Sequence, residues 1–240
     1  MIATQAIGTK WKKWDLHVHT PCSLRQGYGG DTPEVWEKFI SEIEALPDSF
    51  SVLGINDYWF LEGYKRLREE HANGRMQNIQ ALFPVIEMRL NQFGGSKSKL
   101  SKANLHVIFD PDLSPETIES QFLNALTSTF QLDSDGRSEW SGSITPESLT
   151  DLGRQIKNSI PEDRLDEYES DLFEGFNSLT VSLTSVQELL DRSYFKNRAL
   201  LALGKTEWDD IKWVDGAIAD KKTLINEANI IFTSFEDSSD

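Results

Sequence analysis

The sequence predicts an α/β protein whose strands run parallel and are joined by crossover helices, in an open sheet or a barrel. This class is favoured because short apolar segments alternate with segments whose apolar residues recur at helical spacing. The 240 residues are enough for one full-sized domain, and single α/β barrels commonly have about this length. We therefore expect residues 1–240 to form one domain, with a motif-bearing half at 1–110 and an acidic, less regular half at 111–240.

The first half contains four strand-like segments, in the order WDLHVHT, FSVLGINDYW, ALFPVIEMRL and ANLHVIFD. Two helical segments connect the first three. TPEVWEKFISEIEAL has a proline in its first turn, and LEGYKRLREEHANG is closed by Asn-Gly. A long Gly/Ser/Lys loop precedes the fourth strand. This order indicates crossover connections between parallel strands.

The second half has weaker patterns. SPETIESQFLNALTSTF predicts a helix with Ser114 as its N-cap, and QLDSDGRSEWSGS predicts a loop. Two further helices follow, TPESLTDLGRQIKNSI and the acidic PEDRLDEYESDLFEGF. The remaining segments predict helix, strand, helix and strand: SVQELLDRSYFKN, RALLALGK, AIADKKTLINEA and NIIFTSF. Because the sequence stops directly after a strand, without the helix that the alternation predicts, we expect the fold to be unfinished.

Composition excludes several classes of protein. No uncharged apolar run approaches the length of a membrane span, and no export signal is present, so we expect a cytoplasmic protein without membrane contact. The single cysteine, Cys22, excludes an internal disulfide framework and is expected to be a small turn residue. The net charge is −15, and residues 111–240 hold all of the acidic excess. Such a chain binds nucleic acid poorly by charge alone, because affinity for phosphates comes mainly from Lys and Arg.

Two of the four histidines, His17 and His19, stand two positions apart in the first strand. Residues i and i+2 of a strand point to the same face, roughly 6–7 Å apart, so both imidazoles can converge on one metal ion. The alternative is that they are core histidines with satisfied hydrogen bonds, or that one is buried and the other lies on the surface.

Three of the following strands and a later turn carry further titratable residues. These residues are Asp57, Glu87, His106 and, in GKTEWDD, Glu207. Buried charges are costly unless paired or metal-bound, and the carboxyl ends of parallel strands meet at one functional face. Each residue also has a structural alternative. Asp57 would cap a helix, Glu87 would face outward beside Arg89, His106 would be a core histidine, and Glu207 would be a surface turn acid.

The segments DLHVHTPCS, GINDYW, PVIEMRL and LHVIF resemble the successive motifs of the PHP (polymerase and histidinol phosphatase) superfamily. The match covers residues 14–109 and is most similar to PHP domains fused to an SMC-like or AAA-like ATPase, the TrlF-type group of bacterial antiphage defence. This resemblance implies a distorted (β/α)7 barrel, incomplete here at its C-terminus, with a divalent metal cluster for phosphoester hydrolysis. It implies in addition that the chain is the N-terminal part of a longer protein. It also implies that His17 and His19 bind one metal, that Glu87 bridges two and that His106 binds the second.

The resemblance implies that Asp57 helps to organise this site, although Tyr58 stands where that motif has a histidine. The family's closing Asp-x-His is not found, since no histidine follows His106. Mixed His and carboxylate ligation suits Mn²⁺, Zn²⁺ and Fe²⁺. Loop cations are the candidates for contacting phosphate or polyanionic substrate: Arg25, Lys97, Lys99 and Lys102. For each, a solvated loop position is the alternative.

The sequence thus predicts a metal-dependent phosphoesterase, with nucleic acid favoured over a nucleotide as substrate. Its expected partner is an ATPase domain in the same chain or in another, and a homo-oligomer is left open. Two alternatives remain. One is a PHP-like domain that has lost catalysis and serves as an interaction or sensing module, for which the acidic second half would be a protein-binding surface. The other is a phosphatase for small molecules or nucleotides.

Overall fold

The computed structural model describes residues 11–93, 102–204 and 218–232. Six strands form one mixed sheet in the order β1-β2-β3-β4-β7-β8, and β5 and β6 form a separate hairpin. The strands are β1 (Lys13–Val18), β2 (Phe50–Tyr58), β3 (Ala81–Phe93), β4 (Lys102–Phe109), β5 (Thr127–Gln131), β6 (Glu139–Ser143), β7 (Ala199–Gly204) and β8 (Ile230–Phe232). The predicted α/β class is therefore confirmed.

The α-helices begin and end close to the predicted signals. They are α1 (Pro33–Glu44), α2 (Glu62–Ala72), α3 (Pro115–Gln121), α4 (Pro146–Lys157), α5 (Asp171–Ser178), α6 (Leu183–Leu190) and α7 (Ile218–Glu227), and short 3₁₀ helices span Leu123–Ala125 and Glu162–Glu167. The side chains of Thr32, Ser114 and Thr145 cap α1, α3 and α4, each accepting a hydrogen bond from the backbone N–H three residues on. Gly74, at φ 94°, follows the end of α2 in the left-handed region.

The prediction that all strands are parallel is wrong for β4. Strand β4 runs antiparallel to both β3 and β7, whereas β1–β2, β2–β3 and β7–β8 are parallel pairs. Only eight residues, 94–101, separate β3 from β4. A parallel crossover needs a dozen or more residues, so this connection is too short for one. His106 consequently lies in the middle of an antiparallel strand and not at the carboxyl end of a parallel one.

The second half differs from prediction at two places. Helix α3 ends at Gln121, and the segment predicted as a helix end and a loop forms the hairpin β5–β6, in which Trp140 is buried. Gly136, at φ 67°, lies in its Asp-Gly turn, a typical hairpin signal that outweighs the helical pattern before it. The predicted acidic helix divides into the 3₁₀ turn Glu162–Glu167 and α5.

The two faces of the six-stranded sheet are covered differently. Helices such as α2 and α6 pack on the outer face, where the large apolar core includes Leu53, Ile86 and Phe109. The inner face holds a small apolar cluster around Val85, Ile108 and Ala202, with Phe232 packed against it. Most of the hydrophobic stabilisation therefore comes from the outer face.

The sheet nearly closes on itself like a barrel. Phe232 of β8 lies with its ring centroid 5.4 Å from that of His17 in β1, although these strands are the two edges of the hydrogen-bonded order. On the inner face, β1 passes so close to β2 that a Cβ on Gly54 would lie 2.7 Å from the Leu16 backbone, which makes glycine necessary there. Among the described residues, no helix has the length and apolarity that a membrane crossing demands.

Candidate metal centre

Three side chains from three strands converge on the inner face of the sheet. His17, Glu87 and His106 each offer one ligand atom, and these atoms lie within 4.8 Å of one another. The Nε2 atom of His17 is 3.4 Å from Oε2 of Glu87, and Nδ1 of His106 is 3.9 Å from the same oxygen. The ring centroids of the two histidines are 4.8 Å apart. This is a group of donors small enough to surround one ion.

Strand register explains why these residues meet. Glu87 pairs with His106 across the antiparallel β3–β4 ladder, and Tyr58 pairs with Glu87 across the parallel β2–β3 ladder. Directly opposed residues place their side chains on the same face. A register irregularity between Asp15 and Val18 in β1 accompanies the approach of His17 to the same centre.

His19 lies at the edge of this group. Its Nε2 atom is 3.5 Å from Oε2 of Glu87, and its Nδ1 atom is 3.4 Å from the Ser23 hydroxyl. Its ring stacks on Tyr58 with centroids 5.0 Å apart and an interplanar angle of 18°. The structure therefore brings together the four residues for which the resemblance implies metal binding, with His19 further out than the other three.

Two asparagines that the sequence analysis did not select hold the carboxylate of Glu87. Asn56 donates from Nδ2 to Oε2 at 2.9 Å, and Asn104 donates from Nδ2 to Oε1 at 2.9 Å. The sequence signal that could have found them is a side-chain amide within an apolar strand, on the same face as a residue two positions away. Burying such a group is costly unless it has a partner.

Asn56 also fixes the proton position on His106. A carboxylate only accepts hydrogen bonds, so the amide nitrogen of Asn56 faces Glu87 and its Oδ1 faces Nδ1 of His106, 3.0 Å away. Nδ1 of His106 must then carry the proton and donate it. This tautomer leaves the Nε2 lone pair free for a ligand bond, the usual arrangement of metal-binding histidines.

Burial sets the charges of the group. Burial lowers the pKa of His106 to about 3, against the opposing effect of Glu87, so this imidazole is neutral. Burial also lowers the pKa of His19. Burial raises the pKa of Glu87, but the hydrogen bond with His17 and the nearby histidines outweigh burial and leave that pKa below its ordinary value. An ionised carboxylate beside the neutral imidazole of His106 matches the mixed carboxylate and imidazole ligation of divalent transition metals.

Asp57 lies on the other face of β2 and takes no part in this group. Its Oδ1 accepts from the Thr20 backbone N–H at 2.8 Å, and its Oδ2 accepts from the Thr20 hydroxyl at 2.7 Å. Gly63 packs so closely that a Cβ there would lie 2.1 Å from Oδ2. Asp57 is not the N-cap of α2, because Leu61 is in that position. It anchors the turn that follows His19.

Burial raises the pKa of Asp57 to about 6, against the lowering effect of the Thr20 hydrogen bonds. Cys22 lies half-buried in the same turn, as expected, and burial raises the pKa of its thiol to about 12. The thiol is therefore protonated at ordinary pH, and nucleophilic chemistry at Cys22 is not favoured.

The predicted substrate contacts are only partly placed. Arg25 is exposed in the loop before α1, and Lys102 is exposed at the start of β4. Lys97, Lys99 and Glu207 lie outside the described residues, so their predicted roles stay predictions. A cleft of about 890 Å³ opens where β4 ends and β7 begins, lined by Phe83, Ile108 and others, and its lining includes none of the candidate ligands. The candidate site is therefore the histidine cluster, because that is where ligand atoms converge.

A comparison of the chain with protein-family models, with curated proteins and with solved structures finds no match in any of the three. The class that the fold and the site define is an α/β protein with a nearly closed sheet and a cluster of histidine and glutamate side chains that could hold a metal ion.

Proposed function

We propose that this protein is a divalent-metal-dependent phosphoesterase domain with a PHP-type barrel. We further propose that it is cytoplasmic and acts as a nuclease together with an ATPase in antiphage defence. The observation that carries the hydrolase proposal is the convergence of His17, Glu87 and His106 within 4.8 Å on the inner face of the sheet. The nuclease and defence parts rest on the resemblance of DLHVHTPCS and the following motifs to PHP domains fused to ATPases.

The chain's own residues have separable roles in this proposal. His17, His19 and His106 supply imidazole nitrogens, and the Glu87 carboxylate, only 3% exposed, supplies the negative charge. Asn56 and Asn104 hold both oxygens of Glu87 in place. Asp57 fixes Thr20, which follows His19 directly. Orientation of ligands by such outer partners typically contributes 10- to 100-fold in affinity or activity.

A divalent ion bound by these residues would supply Lewis-acid charge for the phosphate and would lower the pKa of a water molecule towards neutrality. The phenol of Tyr58 lies beside this centre. Burial, followed by the Glu87 carboxylate, raises the pKa of Tyr58, so its hydroxyl remains a proton donor at ordinary pH. The inner face thus offers a hydrogen-bond donor next to the position of a reacting phosphate.

The second candidate is a domain that has lost catalysis, and one observation favours it. The Phe232 ring packs against His17 and His106, with centroid distances of 5.4 and 5.0 Å. An apolar ring against two candidate ligands restricts the space for substrate, so a metal bound there would serve folding or assembly. Activity separates the two candidates.

The first experiment is metal analysis of the purified chain by mass spectrometry after incubation with Mn²⁺, Zn²⁺ or Fe²⁺. We expect stoichiometric metal in the wild type and loss of metal in His17→Ala and Glu87→Gln, because each change removes a ligand atom. The matched control is His71→Ala, since His71 lies on α2 and contacts the backbone oxygen of Ile79. Unchanged metal content in both site variants would refute the assignment.

The second experiment compares a single-stranded DNA oligonucleotide with a nucleoside monophosphate as substrate of the metal-loaded chain. Cleavage of the oligonucleotide that is lost in Glu87→Gln supports the nuclease. Release of phosphate from the monophosphate alone indicates a small-molecule phosphatase. Stoichiometric metal without turnover of either substrate supports the domain that has lost catalysis.

A further inference from the structure

Two cationic side chains follow the ligand cluster along the inner face of the sheet. Arg89 stands two residues after Glu87 in β3, and Lys102 stands two residues before Asn104 in β4. Residues i and i+2 of a strand share a face and lie roughly 6–7 Å apart. Asn104 donates a hydrogen bond to Glu87, so the face of β4 that holds Asn104 and Lys102 is the face of the candidate metal centre. Arg89 also pairs directly with Asn104 in the β3–β4 register.

Among the described residues, the guanidinium of Arg89 makes one hydrogen bond. Its Nη1 atom donates to the backbone oxygen of Asn177 near the end of α5, at 2.8 Å. Its side chain is half-buried, and the segment after α5 lies along β3 beside it, where Val181 donates to the Arg89 backbone oxygen. A guanidinium has five N–H donors, so within the described part of the chain most donors of Arg89 are left for another acceptor.

Neither cation is neutralised by a carboxylate in the part of the chain that the structure describes. Each carboxylate at salt-bridge distance from Lys or Arg there belongs to another pair, such as Arg75 with Glu37 or Arg198 with Asp110. The chain carries a net charge of −15, so two cations that have no carboxylate partner among the described residues stand out beside this site. Because guanidinium and ammonium groups are the usual protein partners of phosphate, an anion is the ligand that fits them.

We propose that Arg89, assisted by Lys102, binds a second phosphate of the substrate, next to the phosphate that is cleaved at the metal centre. This inference rests on the proposed function and names its substrate class: a molecule with phosphates in neighbouring positions. We commit to a single-stranded nucleic acid, whose successive phosphates extend along the strand direction of β3. A nucleoside diphosphate shares the chemistry of adjacent phosphates and is separated from it by the test.

The test measures binding, so that it does not depend on turnover. A fluorescent phosphorothioate DNA oligonucleotide is titrated with the Mn²⁺-incubated wild type and with Arg89→Gln, Arg89→Lys and Lys102→Gln, using anisotropy at several salt concentrations. Gln can still donate to the Asn177 oxygen, which limits damage to the fold. The matched control is Arg68→Gln, an exposed arginine on α2, outside the sheet. Thermal melting confirms that each variant is folded.

We expect Arg89→Gln to weaken oligonucleotide binding by about tenfold or more, as for the loss of a charged hydrogen bond. The slope of log affinity against log salt should fall in magnitude by about 0.7, the value for one contact to a single strand. Arg89→Lys should keep most of the slope, and Arg68→Gln should change neither quantity. Phenyl phosphate, which has only one phosphate, should compete equally well in wild type and Arg89→Gln.

Three results would overturn the inference. They are unchanged oligonucleotide binding in Arg89→Gln, an equal loss for phenyl phosphate, or no binding of the oligonucleotide to the wild type. A nucleoside diphosphate that binds with the same dependence on Arg89 while the oligonucleotide does not would identify the nucleotide as the source of the adjacent phosphates. Failure of the proposed function gives a different result. In that case the chain contains no metal or shows no turnover, while oligonucleotide binding still depends on Arg89.

Discussion

The outer and inner faces of the six-stranded sheet use buried polar groups in opposite ways. Adjacent residues of β2 show the difference. Asp57, on the outer face, accepts hydrogen bonds from the backbone N–H and the hydroxyl of Thr20 and from the Cys22 thiol, and it is tightly packed against Gly63. Asn56, on the inner face, joins Glu87 to His106. The Asp57 carboxylate on the outer face is satisfied by fixed hydrogen-bond donors and stabilises a turn. The Glu87 carboxylate on the inner face is surrounded by histidines, which are common metal ligands.

Adjacent residues of β2 are therefore expected to serve different purposes, one in stability and the other in binding. The outer face should determine the free energy of unfolding, and the inner face should determine the affinity for metal and for substrate. Changes on each face therefore distinguish the two roles.

The largest stability effect is expected on the outer face. Phe109 is fully buried, and its ring packs edge-on against Phe122 and Phe195 at centroid distances of 5.1 and 5.6 Å. Phe109→Ala should lower the free energy of unfolding by about 3–5 kcal/mol, since it removes these contacts and leaves a cavity. Urea denaturation measures this. His106 points to the other face, so the metal stoichiometry of the folded fraction should be unchanged. A variant that loses metal but keeps full stability would contradict the assignment of stability to the outer face and of metal binding to the inner face.

The next effect is the pH dependence of stability that Asp57 causes. Its pKa is about 6 in the folded protein against an ordinary value of 3.8, so the folded state binds this proton more tightly than the unfolded state. The stabilisation is present below pH 4 and is lost as the pH rises towards 6, a change of about 3 kcal/mol. Asp57→Asn, which has no titrating group there, should lack this contribution.

Urea denaturation of wild type and Asp57→Asn from pH 4 to 7, with EDTA present, tests this expectation. The difference in unfolding free energy between the two proteins should shift against the wild type as the pH rises, because all other titrating groups cancel. Two curves that run parallel over this range would show that the Asp57 carboxyl has an ordinary pKa. Thr20→Val, which removes the hydroxyl donor, should raise the pKa further and steepen the dependence.

The smallest effect on stability, with a clear effect on metal, is expected at Asn56. Asn56→Ala should weaken metal binding by about 10- to 100-fold, because Glu87 and His106 lose the group that orients them. Competition with a chromophoric chelator measures this affinity. Asn78→Ala is a suitable control, since this amide bonds to backbone oxygens of Ile43 and Leu46, far from the centre in the fold. Equal losses in the two variants would show that Asn56 has only a general structural role.

Much of the first half could be predicted from its sequence, because its signals are local. Helix α1 and its cap follow from Thr32, Pro33 and the spacing of apolar residues, and the strands follow from apolar runs. The direction of β4 was missed, although the eight residues before it already exclude a parallel crossover. The hairpin β5–β6 was missed because the helical pattern before it continues into Leu126, which is buried by tertiary contacts.

Within the site, residue types were predictable but orientation was not. His17, Glu87 and His106 stand out as titratable groups in apolar strands, and the structure brings them together. Asp57 looked equivalent to them in sequence, yet the alternation of a strand places it on the opposite face from Asn56. The irregularity in β1 and the pairing of Glu87 with His106 depend on how the whole sheet assembles, which no local pattern contains.

The contact between Phe232 and His17 has a consequence for assembly. These residues come from the last and first described strands, and their rings meet only when the sheet has curled round to near closure. The packing around the rings of His17 and His106 is therefore complete only when the sheet closes. An ion held by His17, Glu87 and His106 would tie the edge strand β1 to β3 and β4, and it would stabilise the folded chain in proportion to the logarithm of its concentration.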